Sequence, residues 1–391
     1  MTERSTADST LSDGRSRLPG MTQTLLAIGT RKGLWLARSD DGRATWQVDG
    51  PHFRMQAVYA VAIDTRGAQP RVLVGADSPH WGPSVFRSDD LGATWQETEK
   101  GAMHFPADTG ATLARVWQLA PGRADEPDVV WAGAEPSTVW RSEDRGETFE
   151  LVRGLWEHPD RPHWEPGFGG MAVHTVLPHP REHDRVLVAM SAGGVYTTSD
   201  GGDSWSSSNS GLEAYFMTDK YPAFGQCVHK VARDAADPSR LYLQNHGGVE
   251  GCEQPGVYRS DDGGATWVPH SEGLPETTFG FTVVAHPSRG GTAWVFPLVA
   301  DGERWPHGGH AAVYRTTDAG DSWHVCDKGL PQGLYAAVLR DAMSADDCDP
   351  AGLYLGTRTG SVYASRDEAE SWTELVRDLP DVLSVRAATV G

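Results

Sequence analysis

SDDLGATW (88–95), TSDGGDSW (198–205), SDDGGATW (260–267) and TTDAGDSW (316–323) are four copies of one eight-residue pattern: Ser/Thr, any, Asp, any, Gly, any, Thr/Ser, Trp. SEDRGETF (142–149) closes on Phe149. SDDGRATW (39–46) has its glycine one place early, and SRDEAESW (365–372) has Ala369 where the glycine belongs. The closing aromatics, Trp46, Trp95, Phe149, Trp205, Trp267, Trp323 and Trp372, recur at intervals of 49 to 62 residues. A self-similar period of about 50 residues is that of propeller blades, and it outranks any local reading. The motif reads as a hairpin clasp. Its aspartate accepts hydrogen bonds from its own turn, its glycine takes a backbone angle other residues resist, and its aromatic packs back onto the sheet. Asp41, Asp90, Asp144, Asp200, Asp262, Asp318 and Asp367 are therefore expected to be structural.

Each repeat reads as four strands, A to D from the channel outward. Blade two shows them as AVYAVAID (57–64), RVLVGAD (71–77), SVFRSD (84–89) and TWQET (94–98). Strand A recurs as VWQLAPG (116–122), VHTVLPH (173–179), VHKVARD (228–234), FTVVAHP (281–287) and YAAVLRD (335–341). Blade one lacks a strand A at its front, so VLSVRAATV (382–390) is expected to supply it and close the ring, which removes the open edges. The fold expected is all-β, a single seven-bladed propeller over 22–391, preceded by a disordered extension over 1–21.

The octapeptide resembles the Asp-box, or BNR, repeat of sialidase-like propellers, and the resemblance runs through 22–391. Similar boxes occur in sortilin-type receptors, photosystem assembly factors and some endoglucanases. The resemblance implies the propeller architecture. It points to glycoside hydrolysis as one activity and to a non-catalytic assembly scaffold as another, since one fold hosts many functions.

Composition narrows the partners. The 391 residues carry 34 basic against 53 acidic side chains, a net charge of −19. Phosphate binding needs a basic footprint, so nucleic acid and anionic membrane surfaces are excluded as partners. No run of 18 apolar residues exists to span a bilayer. Residues 1–20 are polar and lack an apolar stretch of signal length, and a cytoplasmic location is expected. Four irregularly spaced cysteines do not make a disulfide framework.

In a propeller the D–A and B–C connections share one face. Here they are long and varied, as in GLWEHPDRPHWEPGFGG (154–170), GLEAYFMTDKYPAFG (211–225) and VADGERWPHGGH (299–310). Irregular loops on a rigid scaffold are where function concentrates. That face is expected to bind a small-molecule or glycan-like ligand, or a protein partner.

Four sets of residues stand out there. Arg31 and Arg358 occupy the same B–C turn in blades one and seven, which ring closure makes neighbours, and Arg54 can join them. Paired guanidiniums suit a carboxylate or phosphate, and the sialidase resemblance implies a similar grip on a sugar carboxylate. The alternative is that each arginine pairs with a local acid. His174 and His229 fill equivalent strand-A positions, with Cys227 beside His229 and His246 on a nearby loop. Imidazole and thiolate suit a divalent metal such as zinc, the one cofactor the sequence suggests. This opens a third function, a metal-dependent enzyme. Asp77, Glu165, Asp219 and Tyr221 are candidates for the carboxyl pair, or the tyrosine and acid, of a glycoside hydrolase. His80, Trp81, Trp164 and Trp305 can contact a ligand, or else cover the apolar top of the ring.

Overall fold

The computed structural model describes residues 22–97, 103–167 and 170–391. The expected extension over 1–21 lies outside them. Seven four-stranded antiparallel sheets form a seven-bladed β-propeller. In blade one the order from the channel outward is Val382–Val390, Gln23–Thr30, Gly33–Ser39 and Gln47–His52. The C-terminal strand pairs along the whole of Gln23–Thr30, from Gln23 opposite Val390 to Thr30 opposite Val382. The inner strands of blades two to six are Ala57–Asp64, Arg115–Pro121, Val173–Pro178, Val228–Arg233 and Phe279–Ala285.

Blade seven departs from the expectation. Its inner strand is Met343–Ala345, paired with Leu353–Gly356, and not the segment 335–341. The apolar residues that gave 335–341 its strand-like pattern are buried: Ala336, Ala337 and Val338 are 9%, 3% and 0% exposed. Their burial comes from packing against the core residues of blades six, seven and one, without a sheet ladder. The Ala337 carbonyl accepts from Arg358 N–H, and the Asp341 carbonyl accepts from Val385 N–H in blade one. The segment thus crosses the channel end as a lead-in to blade seven.

The blades pack face to face, and strand B of one lies against strand A of the next. The approach is closest at glycines. A Cβ at Gly29 would come within 2.5 Å of the Val58 carbonyl oxygen, and one at Gly133 within 2.3 Å of the Val173 carbonyl oxygen. No side chain fits there.

The seven turn aspartates share one geometry. In each, one carboxylate oxygen accepts the backbone N–H of the residue four places on, and the other accepts that residue's hydroxyl. At Asp90 these bonds are 2.8 and 2.6 Å, to Thr94. The Thr94 hydroxyl and N–H together hold the Asp90 carboxyl down to about 2. The closing rings then bury: Trp205, Trp267, Trp323 and Trp372 are 2–6% exposed. The indole N–H of Trp267 donates to the Ser208 carbonyl and that of Trp372 to the Cys326 carbonyl.

Candidate functional site

A cavity of about 600 Å³ opens at the D–A/B–C end of blades four to seven. Its floor is strand A. Phe279 and Phe281, two places apart in the inner strand of blade six, face it together because side chains alternate along a strand. His229 comes from the inner strand of blade five, and Cys227 lies one residue before that strand begins. The walls come from loops: Glu165 from 154–170, Tyr215 and Phe216 from 211–225, His246 from the B–C connection of blade five, and Asp301 and Arg304 from that of blade six. Arg340 enters from the lead-in of blade seven.

Two carboxylates, Glu165 and Asp301, and two guanidiniums carry the cavity's charge. Those of Arg304 and Arg340 lie 5.4 and 5.2 Å from the centroid of the Phe281 ring. Arg304 donates from Nε to the Asp301 backbone carbonyl at 2.6 Å. Arg340 donates from Nη2 to the Ser191 hydroxyl at 3.3 Å, and its buried Nε has no hydrogen-bond partner. Among the described residues neither arginine is in an ion pair, although the chain carries −19. Burial lowers the pKa of Arg340, so its charge is held at some cost.

Beside them stand Cys227, His229 and His246. One donor atom of each lies within 4.8 Å of the others. His229 Nδ1 donates to the Gly280 carbonyl at 2.5 Å, which leaves the lone pair on Nε2. His246 Nε2 meets the Asp301 carboxylate at 3.3 Å, which leaves the lone pair on Nδ1. Burial drives His229 well below the usual histidine range and lowers His246, so both rings are neutral. Burial also pushes the Cys227 thiol up, against the pull of the Arg340 charge. These three groups and Asp301 are what the site offers to a metal.

A second cavity, of about 240 Å³, lies at the junction of blades one, two, three and seven and is also lined by Arg340. Arg31 and Arg358 both line it, and both reach Asp381 Oδ2, at 3.5 and 2.8 Å. Arg115 sits between Asp77 and Glu135, at 3.5 and 3.4 Å, and over the Tyr59 ring at 4.4 Å. Deeper in the channel, Asp341 takes Lys230 at 2.7 Å and also Arg386. The positive charge of this cavity is thus largely answered by carboxylates.

The residues singled out from sequence are scattered. Of the four catalytic candidates only Glu165 lines the large cavity; Asp77 is at the small one through Arg115. Asp219 is exposed and accepts the Tyr221 N–H at 3.0 Å, and Tyr221 is 44% exposed. Arg54, His80 and Trp81 are exposed and line neither cavity. Trp164 is 5% exposed and gives its indole N–H to the Tyr196 hydroxyl, which makes it core. Trp305 packs edge-on against Tyr335. His174 is buried beside Thr175, and the trio forms with Cys227 in its place. All four cysteines are free. Sequence reading missed Arg304, Arg340 and the Phe279–Phe281 pair. The last had a signal, two aromatics at a spacing of two on a strand. Arg340 was hidden inside a segment read as strand.

No protein-family model matches the chain. A curated relative is the oligoxyloglucan-reducing end-specific xyloglucanase of Emericella nidulans, 24% identical over 386 residues, with 90% of this chain and 40% of that protein covered. Among solved structures, the Niastella koreensis GH74 enzyme superposes with a TM-score of 0.58 at 16% identity, over 89% of this chain and 54% of that one. YCF48 from Cyanidioschyzon merolae gives a TM-score of 0.49 at 14% identity, over 82% and 84%. The chain spans about half the length, or less, of the xyloglucanase and the GH74 enzyme. What it shares with the solved structures is the propeller fold.

Proposed function

We propose that this propeller binds an anionic, glycan-like small molecule in the large cavity of blades four to seven. The observation that carries the reading is the pair Arg304 and Arg340, which flank Phe281 without a carboxylate partner among the described residues. Guanidiniums without a carboxylate partner favour a bound anion, and a planar fork suits a carboxylate. The aromatic floor of Phe279 and Phe281 offers a sugar ring an apolar face. A volume of about 600 Å³ fits one or two sugar units. The sequence likeness to a xyloglucanase supports a sugar as the ligand, although this chain covers 40% of that enzyme. If the ligand is cleaved, the carboxyl pair comes from Glu165 and Asp301, the two acids on the cavity wall.

Thermal shift against carboxylated and neutral sugars tests the reading, alongside turnover of a fluorogenic panel that includes sialosides and glucuronides. Carboxylated sugars should stabilise the wild type more than their neutral counterparts. Arg340→Ala and Arg304→Ala should each weaken that binding about 10–100-fold, the scale of one charged hydrogen bond. A carboxylated sugar that binds Arg340→Ala as well as wild type would sink the proposal. Turnover lost in Glu165→Gln with binding intact would make the protein a hydrolase; binding with no turnover of any glycoside would make it a receptor.

A further inference from the structure

We propose that Cys227, His229 and His246 hold a divalent transition-metal ion of the zinc class on the floor of the large cavity, with a fourth coordination position open to the cavity. The inference stands independently of the sugar reading, since it concerns a cation and a different set of atoms.

The donors have the right identity. One sulfur and two imidazole nitrogens, with an open position, is the ligand count of a catalytic zinc site, whereas a structural site is closed by four protein ligands. They also have nearly the right spacing. Three atoms at the corners of a triangle with 4.8 Å edges, the widest separation here, surround a centre about 2.8 Å from each. Zinc bonds to nitrogen and sulfur are about 2.0–2.3 Å. An inward movement of about 0.5–0.8 Å per donor would therefore complete the site.

The surroundings complete the argument. A ligating histidine is normally fixed by giving its other N–H to a carbonyl or carboxylate. His229 does so to Gly280 O and His246 to Asp301. Each ring is thereby oriented and left with one lone pair. Two imidazoles, each with its own outer partner and both beside a buried thiol, are more than a chance meeting of polar groups requires. His174, equally buried on the neighbouring blade, turns its Nδ1 to the Thr175 hydroxyl and stays outside the trio.

The site also has a charge balance. A dication and one thiolate add a single positive charge to a cavity whose guanidiniums, Arg304 and Arg340, are matched in number by the carboxylates Glu165 and Asp301. The open position will therefore favour an anion, and binding of metal and of an anionic ligand should reinforce each other. Metal uptake releases the Cys227 proton, so affinity should fall as pH is lowered.

The test uses untagged full-length protein stripped with chelator and reloaded with Zn²⁺ or Co²⁺ alone. Elemental analysis after gel filtration should give one equivalent, and the cobalt form should show a thiolate-to-metal charge-transfer band in the near ultraviolet. Cys227→Ala should abolish the band, and His246→Ala should lose the stoichiometric metal. Asp301→Asn should weaken affinity about 10–100-fold while leaving the band in place at saturation. His163→Ala, a cavity histidine outside the trio, should keep one equivalent. Circular dichroism and a thermal melt of each stripped variant establish that it is folded. Less than half an equivalent in the wild type, a cobalt spectrum without the thiolate band, or unchanged metal in folded Cys227→Ala would overturn the proposal.

Discussion

Asp341 shows how much one side chain can hold. It is 6% exposed and faces two cations, Lys230 and Arg386, which come from blades five and one. Burial alone would raise its carboxyl, but the two positive charges outweigh that and bring it down to about 2. Lys230 shares Asp341 with Arg386, and burial lowers it in turn. Asp341→Asn leaves the buried Lys230 and the half-buried Arg386 facing a neutral amide. A loss of about 3–5 kcal/mol is expected, read as a drop in the urea midpoint with an unchanged slope. The pH dependence follows from the sign. A carboxyl depressed in the folded state stabilises above its unfolded pKa, near 4, and that contribution is lost as pH falls towards 2. Wild type should therefore weaken across that interval more steeply than Asp341→Asn, as followed by tryptophan fluorescence. At the same scale, Arg304 and Arg340 differ from Arg31 and Arg358 in one respect. The second pair has Asp381.

At the scale of the strand and turn, the octapeptide was readable because its chemistry is local. Asp367 needs only Ser365 and Ser371, both within four residues, to satisfy its oxygens. Asp367→Ala should cost about 1–2 kcal/mol, the worth of one or two net hydrogen bonds. Trp372→Ala, at the end of the same turn, should cost about 3–5 kcal/mol because its 4%-exposed ring fills the space between blades. Guanidinium melts of the two variants would rank them, and the reverse order would mean the clasp outweighs the wedge. The inner strand of blade seven was not readable in this way. YAAVLRD has the apolar content of a strand, but its backbone bonds go to Arg358 and Val385, partners set by the closed ring. Periodicity reports burial and does not distinguish a sheet from a packed crossing. Misplacing that strand concealed Arg340. The candidate site was legible only in fragments for a related reason. Cys227, His229 and His246 span 20 residues, yet Asp301 and Gly280 arrive from the next blade. Arg31 and Arg358 could be set side by side from topology alone, whereas their shared Asp381 sits in a loop that no repeat describes.

For the whole molecule, the seam in blade one decides whether there is a ring at all. Removing 382–391 would strip the inner partner from Gln23–Thr30 and expose a fully buried strand edge. Such a truncation should aggregate and lose its cooperative melt, checked by size-exclusion chromatography and circular dichroism. A monomer that still unfolds in one transition would show that six complete blades suffice. The seam has a further consequence, in time. Thr30 and its partner Val382 are about 350 residues apart in the chain. At about 5–20 residues per second, a ribosome needs on the order of 20–70 s to make that interval. Throughout it the nascent blade one has an unpaired inner edge, while blades two to seven assemble as an open arc. The strand that closes the ring is made long after the strand it pairs with, so the vulnerable period of this propeller is set by the interval between them and by translation speed more than by how fast any blade can fold.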